Sequence, residues 1–101
     1  MNDHKLRTIF TGELASEMVM CALPKGAPVL DFYVRVESPT GEWFTVQASI
    51  YGERAENYVH LQRGDTVHIE GYISKPRLIR RGGVVTPTFN ISVLEIYKEV
   101  P

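Results

Sequence analysis

The sequence predicts an all-β domain: a five-stranded Greek-key barrel with one short helix between its third and fourth strands. Three observations predict it. Apolar and polar residues alternate with a period of two in stretch after stretch, helical periodicity is confined to one short segment, and Gly/Pro-rich turns punctuate the runs. The chain of 101 residues, 44% hydrophobic and 23% charged, has the length of one domain, since domains run about 100–150 residues. The core is expected within about 6–97 of a single 1–101 unit, because a chain of this size buries something over 60% of its unfolded surface.

Each element follows from its pattern. Residues 6–14 read as the first strand, with Gly12 as a bend or bulge, and the apolar run 18–23 as its continuation. Pro24-Lys25-Gly26-Ala27-Pro28 turns the chain. In 29–37, Leu30, Phe32, Val34 and Val36 share one face, with Asp31, Tyr33, Arg35 and Glu37 on the other. In 43–51, Phe44, Val46, Ala48 and Ile50 oppose Trp43, Thr45, Gln47, Ser49 and Tyr51. Ser38-Pro39-Thr40-Gly41 joins these two strands as a hairpin, its aliphatic face toward the core. A helix is expected over 53–62, with Ala55, Tyr58 and Val59 inward and Gly64 ending it. Residues 65–74 alternate again, with Val67, Ile69 and Ile73 inward. The last strand spans about 86–97, with Phe89, Ile91 and Val93 on one face; Leu94-Glu95-Ile96 shifts that parity and predicts a bulge. Three strands, a short helix and two strands are the order used by small barrels of the oligonucleotide-binding type.

Composition excludes several function classes. One cysteine, Cys21, permits neither an internal disulfide framework nor a cysteine-based zinc site, and reads as a small apolar filler. No apolar stretch reaches the roughly 20 residues of a membrane-spanning helix, and the N-terminus lacks the apolar core of a signal peptide, so a cytosol-like compartment is expected. His4, His60 and His68 stand without neighbours at metal-ligand spacing, and His68 reads as solvent-facing. There is no phosphate loop, nucleophile elbow or activated serine pattern. The expectation is a non-enzyme with no metal and no cofactor.

Charge is informative locally rather than globally. The net charge is −1, yet Lys75, Arg77, Arg80 and Arg81 fall close together with no acidic residue between Glu70 and Glu95. Gly82-Gly83 is a natural hairpin tip, so 75–88 is expected to form a two-armed basic ribbon. Such a run also suits an ordinary solvated loop. Tyr33, Arg35, Trp43, Thr45, Gln47 and Tyr51 share the hairpin's outer face, where rings can stack on bases and arginine can meet phosphate. Equally, Trp43 can close a barrel end or fill a subunit interface.

Several of these residues carry a family likeness. Phe10-Thr11-Gly12-Glu13-Leu14, Gly26-Ala27-Pro28-Val29 leading into Phe32, Glu42-Trp43, Tyr51-Gly52-Glu53-Arg54-Ala55-Glu56 and above all 61–73 resemble the bacterial single-stranded DNA-binding protein family, including its short relative primosomal replication protein N. The resemblance spans about 6–97. It implies an oligonucleotide-binding barrel that binds single-stranded DNA, assembles as a homodimer or homotetramer, and works in the nucleoid with replication proteins. Tyr51 matches one of the family's stacking positions. Trp43 lies on the strand and face of another, two residues earlier; a third falls near Leu78 and is not aromatic. The acidic Pro/Gly-rich tail of typical members does not appear before Pro101, which favours the short, tail-less kind. Pairing of first strands, within 4–14, is the expected oligomer contact. The alternative is a barrel that serves as a protein-interaction or assembly subunit and has lost DNA binding, with Asp31, Glu37, Glu42 and Glu70 as its acidic residues near the groove.

Overall fold

The computed structural model describes residues 6–73, 77–88 and 90–99. The strands are β1 (Leu6–Leu14), β2 (Val19–Ala22), β3 (Pro28–Glu37), β4 (Trp43–Tyr51), β5 (Thr66–Ile73), β6 (Arg77–Arg81), β7 (Val84–Thr88) and β8 (Asn90–Lys98), with a 3₁₀ helix at Glu53–Tyr58. The main sheet runs β1-β5-β8-β4-β3-β2, and β1 returns to β3 through Glu13↔Arg35 and Leu14↔Val34. That return closes β1, β5, β8, β4 and β3 into a five-stranded barrel. The β4–β8 pairing is parallel and the remaining pairings are antiparallel. This is the predicted Greek-key barrel of the oligonucleotide-binding type.

Alternation builds the core. Leu30, Phe32, Val34, Ala48, Ile50, Val67 and Ile69 are fully buried, joined by Leu14, Ile91, Val93 and Ile96. Each of the Val, Leu, Ile and Phe side chains among them contributes about 1.5–3 kcal/mol through removal from water. One barrel end is covered by the 3₁₀ helix, which buries Ala55 and packs Tyr58 on the core. The other end opens into an apolar cavity of about 300 Å³ lined by Phe10, Val36, Phe44, Val46, Ile73 and Ile91, among others.

A bulge lies where the parity break predicts it. Glu70 pairs with Glu95 but Gly71 pairs with Val93, leaving Leu94 as the extra residue. The Arg54 guanidinium reaches across from the 3₁₀ helix and donates to the Val93 and Leu94 carbonyls. Gly71 is required beside the bulge, because a Cβ there would stand 2.3 Å from the Ser92 carbonyl oxygen.

Several expectations are corrected. Residues 18–23 do not continue the first strand; Val19–Ala22 folds back onto β3 as a separate edge strand, and Cys21 is exposed on it. Gly12 makes no bulge, since β1 stays in register with β5 throughout; it lets β1 approach β3, where a Cβ would meet Val34 Cγ1 at 2.5 Å. The helix is a 3₁₀ turn that stops at Tyr58, four residues short, and Val59 is exposed. Phe44 is not in the core: it is 45% exposed at the open barrel mouth. Ser49 does not face solvent; it is buried between Asp31 on β3 and Ser92 on β8, and its hydroxyl donates to Asp31 Oδ1 at 2.6 Å. His68 is not a bare solvent-facing residue but is held by Thr11 (2.8 Å) and Glu99 (3.1 Å) and stacks on Tyr97. Phe89 lies outside the described residues.

Candidate nucleic-acid interface

The β3–β4 register sorts the outer face into rows. Glu37 stands opposite Trp43, Arg35 opposite Thr45, Tyr33 opposite Gln47, Asp31 opposite Ser49 and Val29 opposite Tyr51. Rows on one face follow each other at roughly 7 Å, two residues of strand rise. Trp43, Tyr33 and Tyr51 therefore occupy alternate rows, with polar rows between them. The three rings are 54%, 48% and 43% exposed. Arg35 and Thr45 are exposed and Gln47 is half-buried, so all six hairpin residues singled out by sequence share this face.

The polar rows bind the rings into a fixed surface. The Arg35 guanidinium lies over the Trp43 ring, 5.1 Å from its centroid, and its other neighbour is Glu13 on β1 at 3.7 Å. Such a cation–π contact contributes about 0.5–1 kcal/mol at an exposed site. It holds a positive charge at one face of the indole and restricts the ring's rotation. The Tyr33 N–H donates to Ser16 Oγ at 2.9 Å, fixing the backbone under that ring. The rows extend onto the neighbouring strands: Gln47 lies beside Asn90, Ser49 beside Ser92, and Ser92 beside Tyr72.

Beyond Ile73 the chain forms the basic ribbon. β6 and β7 pair as a separate two-stranded sheet, with Arg81↔Val84 flanking Gly82-Gly83. Both glycines have positive φ, 55° and 83°, as a tight two-residue hairpin turn requires. Arg80 is exposed, and Arg77 and Arg81 lie on β6; Lys75 falls outside the described residues. The ribbon leaves the barrel where β8 begins, with Asn90 beside Gln47, so its root adjoins the Tyr33 row.

The face is not uniformly cationic. Glu37 flanks Trp43, Glu13 partners Arg35, and Asp31 sits beside Ser49. The hydrogen bond between Asp31 and Ser49 follows from the hairpin register that the sequence sets, but serine burial was not visible in an alternating pattern. Ser16 left no sequence signal; it lies in an irregular segment and reaches Tyr33 only through tertiary folding. Away from this face, Asp65 has its carboxyl held below the ordinary value of 3.8, chiefly by the Gln62 N–H at 2.8 Å, which outweighs the opposing effect of burial, with Lys98 at 3.4 Å adding to the lowering. Among the described residues, no group of His, Cys, Asp and Glu is placed to hold a metal ion, and no helix is long and apolar enough to cross a membrane.

The sequence matches no protein-family model and no curated protein. The fold has a solved counterpart, a small single-stranded DNA-binding protein from Streptomyces coelicolor. It aligns over 99% of this chain and 97% of its own, with a TM-score of 0.73 and 22% identity. The two chains share one fold along their whole lengths.

Proposed function

We propose that this chain is a sequence-tolerant single-stranded DNA-binding protein of replication, repair or recombination, resident with the nucleoid. The reading is carried by one observation: Trp43, Tyr33 and Tyr51 stand exposed on alternate rows of a single barrel face, with Arg35 packed on the indole. The fold shared with a single-stranded DNA-binding protein supports it. Bases stack on the three rings, Thr45 and Gln47 line the path between them, and Arg35 with Lys75, Arg77, Arg80 and Arg81 meets phosphates. Every base offers a π-face, so the binding tolerates sequence, and each base stacked on an aromatic ring contributes about 1–3 kcal/mol.

The β1 edge supports an oligomer. β1 pairs with β5 along its length but meets β3 only at Glu13 and Leu14, leaving the edge from Leu6 to Gly12 unpaired among the described residues. Pairing two such edges in a homodimer, or two dimers in a tetramer, removes that liability.

A gel shift with labelled single- and double-stranded oligonucleotides at low salt tests the function. Preferential retention of the single strand is expected. With about four phosphates neutralised, log affinity falls against log salt with a slope of roughly −3. A second reading, a protein-interaction subunit that no longer binds DNA, draws on Glu37, Glu13 and Asp31 on the same face. It predicts no shift of either oligonucleotide.

A further inference from the structure

The two polar rows between the rings differ in charge. Between the Trp43 and Tyr33 rows lies Arg35 opposite Thr45; between the Tyr33 and Tyr51 rows lies Asp31 opposite Ser49. A phosphate is attracted to the first row and repelled by the second. A strand whose bases lie on both Tyr33 and Tyr51 still has to cross the Asp31 row. It must therefore meet that carboxylate with something other than its backbone.

Asp31 is held in place and only partly used. Its Oδ1 accepts from the Ser49 hydroxyl at 2.6 Å, and Ser49 is buried, so the pair is anchored in the sheet. Glu13, Glu70, Glu99 and Asp65 each face a basic side chain, whereas Asp31 faces none among the described residues. Its neighbour on β2 is Val19, whose side chain brings no donor. Among the described residues Oδ2 has no protein partner, and it keeps access to solvent. A half-buried carboxylate without a cation gains from any donor that a ligand brings.

We propose that Asp31 reads base edges: Oδ2 accepts from the exocyclic amino group of a base stacked on Tyr33 or Tyr51, so this row favours cytosine over uracil or thymine. The proposal rests on the single-strand reading above and adds a preference to it. In an unpaired strand the hydrogen-bonding edge of each base is free. Cytosine presents its N4 amino group, and an aspartate accepting from that group is a geometrically favoured pairing. Uracil and thymine present a carbonyl oxygen at the same position, which the carboxylate repels. Stacking remains indifferent to sequence, while the carboxylate, as a charge-assisted acceptor, discriminates at one row.

Oligodeoxycytidine and oligodeoxyuridine of equal length test the proposal on the native chain at low salt and neutral pH. Their rings match in size and differ at position 4, amino against carbonyl. The native chain should hold oligodeoxycytidine about fivefold more tightly, the lower end of what one base contact supplies. An oligonucleotide of N4,N4-dimethylcytosine, which lacks the donor, should bind only as well as oligodeoxyuridine. Asp31→Asn keeps an oxygen for Ser49 but removes the charge and presents an amide N–H to the strand. It should tighten oligodeoxyuridine binding and abolish the cytosine preference, with urea unfolding as cooperative as that of the parent. Equal affinity of the native chain for the two oligonucleotides overturns the proposal and leaves the single-strand reading standing. So does a preference that survives dimethylation or Asp31→Asn. Failure of both oligonucleotides to bind overturns that reading, and the proposal with it.

Discussion

Phe32 and Tyr33 are neighbours in the chain and opposites in the fold. Phe32 is fully buried in the barrel, while Tyr33 stands in solvent with Trp43 and Tyr51. The inner face of β3–β4 follows from the hydrophobic effect alone: its side chains leave water and stabilise the barrel. The outer face gains less for folding from three rings that stay about half exposed, and it positions them with an arginine over one and a serine under the backbone of another. The contrast separates residues that hold the structure from residues that the structure holds out, and substitutions on the two faces should therefore fail in different assays.

The largest expected effect is on the inner face. Phe32→Ala should lower stability by about 3–5 kcal/mol, a large share of the roughly 5–15 kcal/mol of a typical domain, as read by urea unfolding. Gly71→Ala comes next. Its new methyl must displace the Ser92 carbonyl and the bulge that Arg54 holds, which should remove about 1–3 kcal/mol by the overpacking mechanism. On the outer face the pattern inverts. Trp43→Ala should weaken oligothymidine binding by about 1–3 kcal/mol while stability changes by no more than about 1 kcal/mol, the size of the lost Arg35 contact. Loss of stability comparable to Phe32→Ala would dissolve the distinction between the faces.

Arg80→Ala should act more weakly still, lowering affinity for all sequences alike and reducing the magnitude of the single-strand salt slope by about 0.7. The smallest effect concerns Asp65, whose carboxyl is held below its ordinary value by the Gln62 N–H and Lys98. A depressed folded-state pKa stabilises the fold fully above the unfolded value of about 3.9 and is lost as pH falls through the folded value. Unfolding curves of the parent and Asp65→Asn should therefore differ at pH 6 and converge in strong acid.

Much of this was legible in the sequence because period-two alternation and hairpin register are local. Leu30 to Ile50 reads directly as a two-faced hairpin, and the parity break at Leu94 marks the bulge. What escaped was set by neighbours distant in the chain. The apolar run at Val19–Ala22 looks like buried strand, but only the closure of β1 onto β3 decides that it becomes an edge. Phe44 obeys the inward parity and is still exposed, because the barrel is open where it sits. The 53–62 segment lacks the extended apolar stripe of a full α-helix, so packing of Ala55 and Tyr58 supports only a 3₁₀ turn. The residues of the outer face could be named one by one, whereas the placing of Arg35 between Trp43 and Glu13 brings together three strands that local pattern does not relate.

The central claim is that unpaired bases settle on the exposed rings. Trp43 is the chain's one tryptophan, so its emission reports that face alone. Titration with oligothymidine at low salt should quench Trp43 fluorescence in a saturable way, and added salt should reverse the quenching steeply. Saturable binding that leaves the emission unchanged, or quenching equally strong with duplex DNA, would contradict the account.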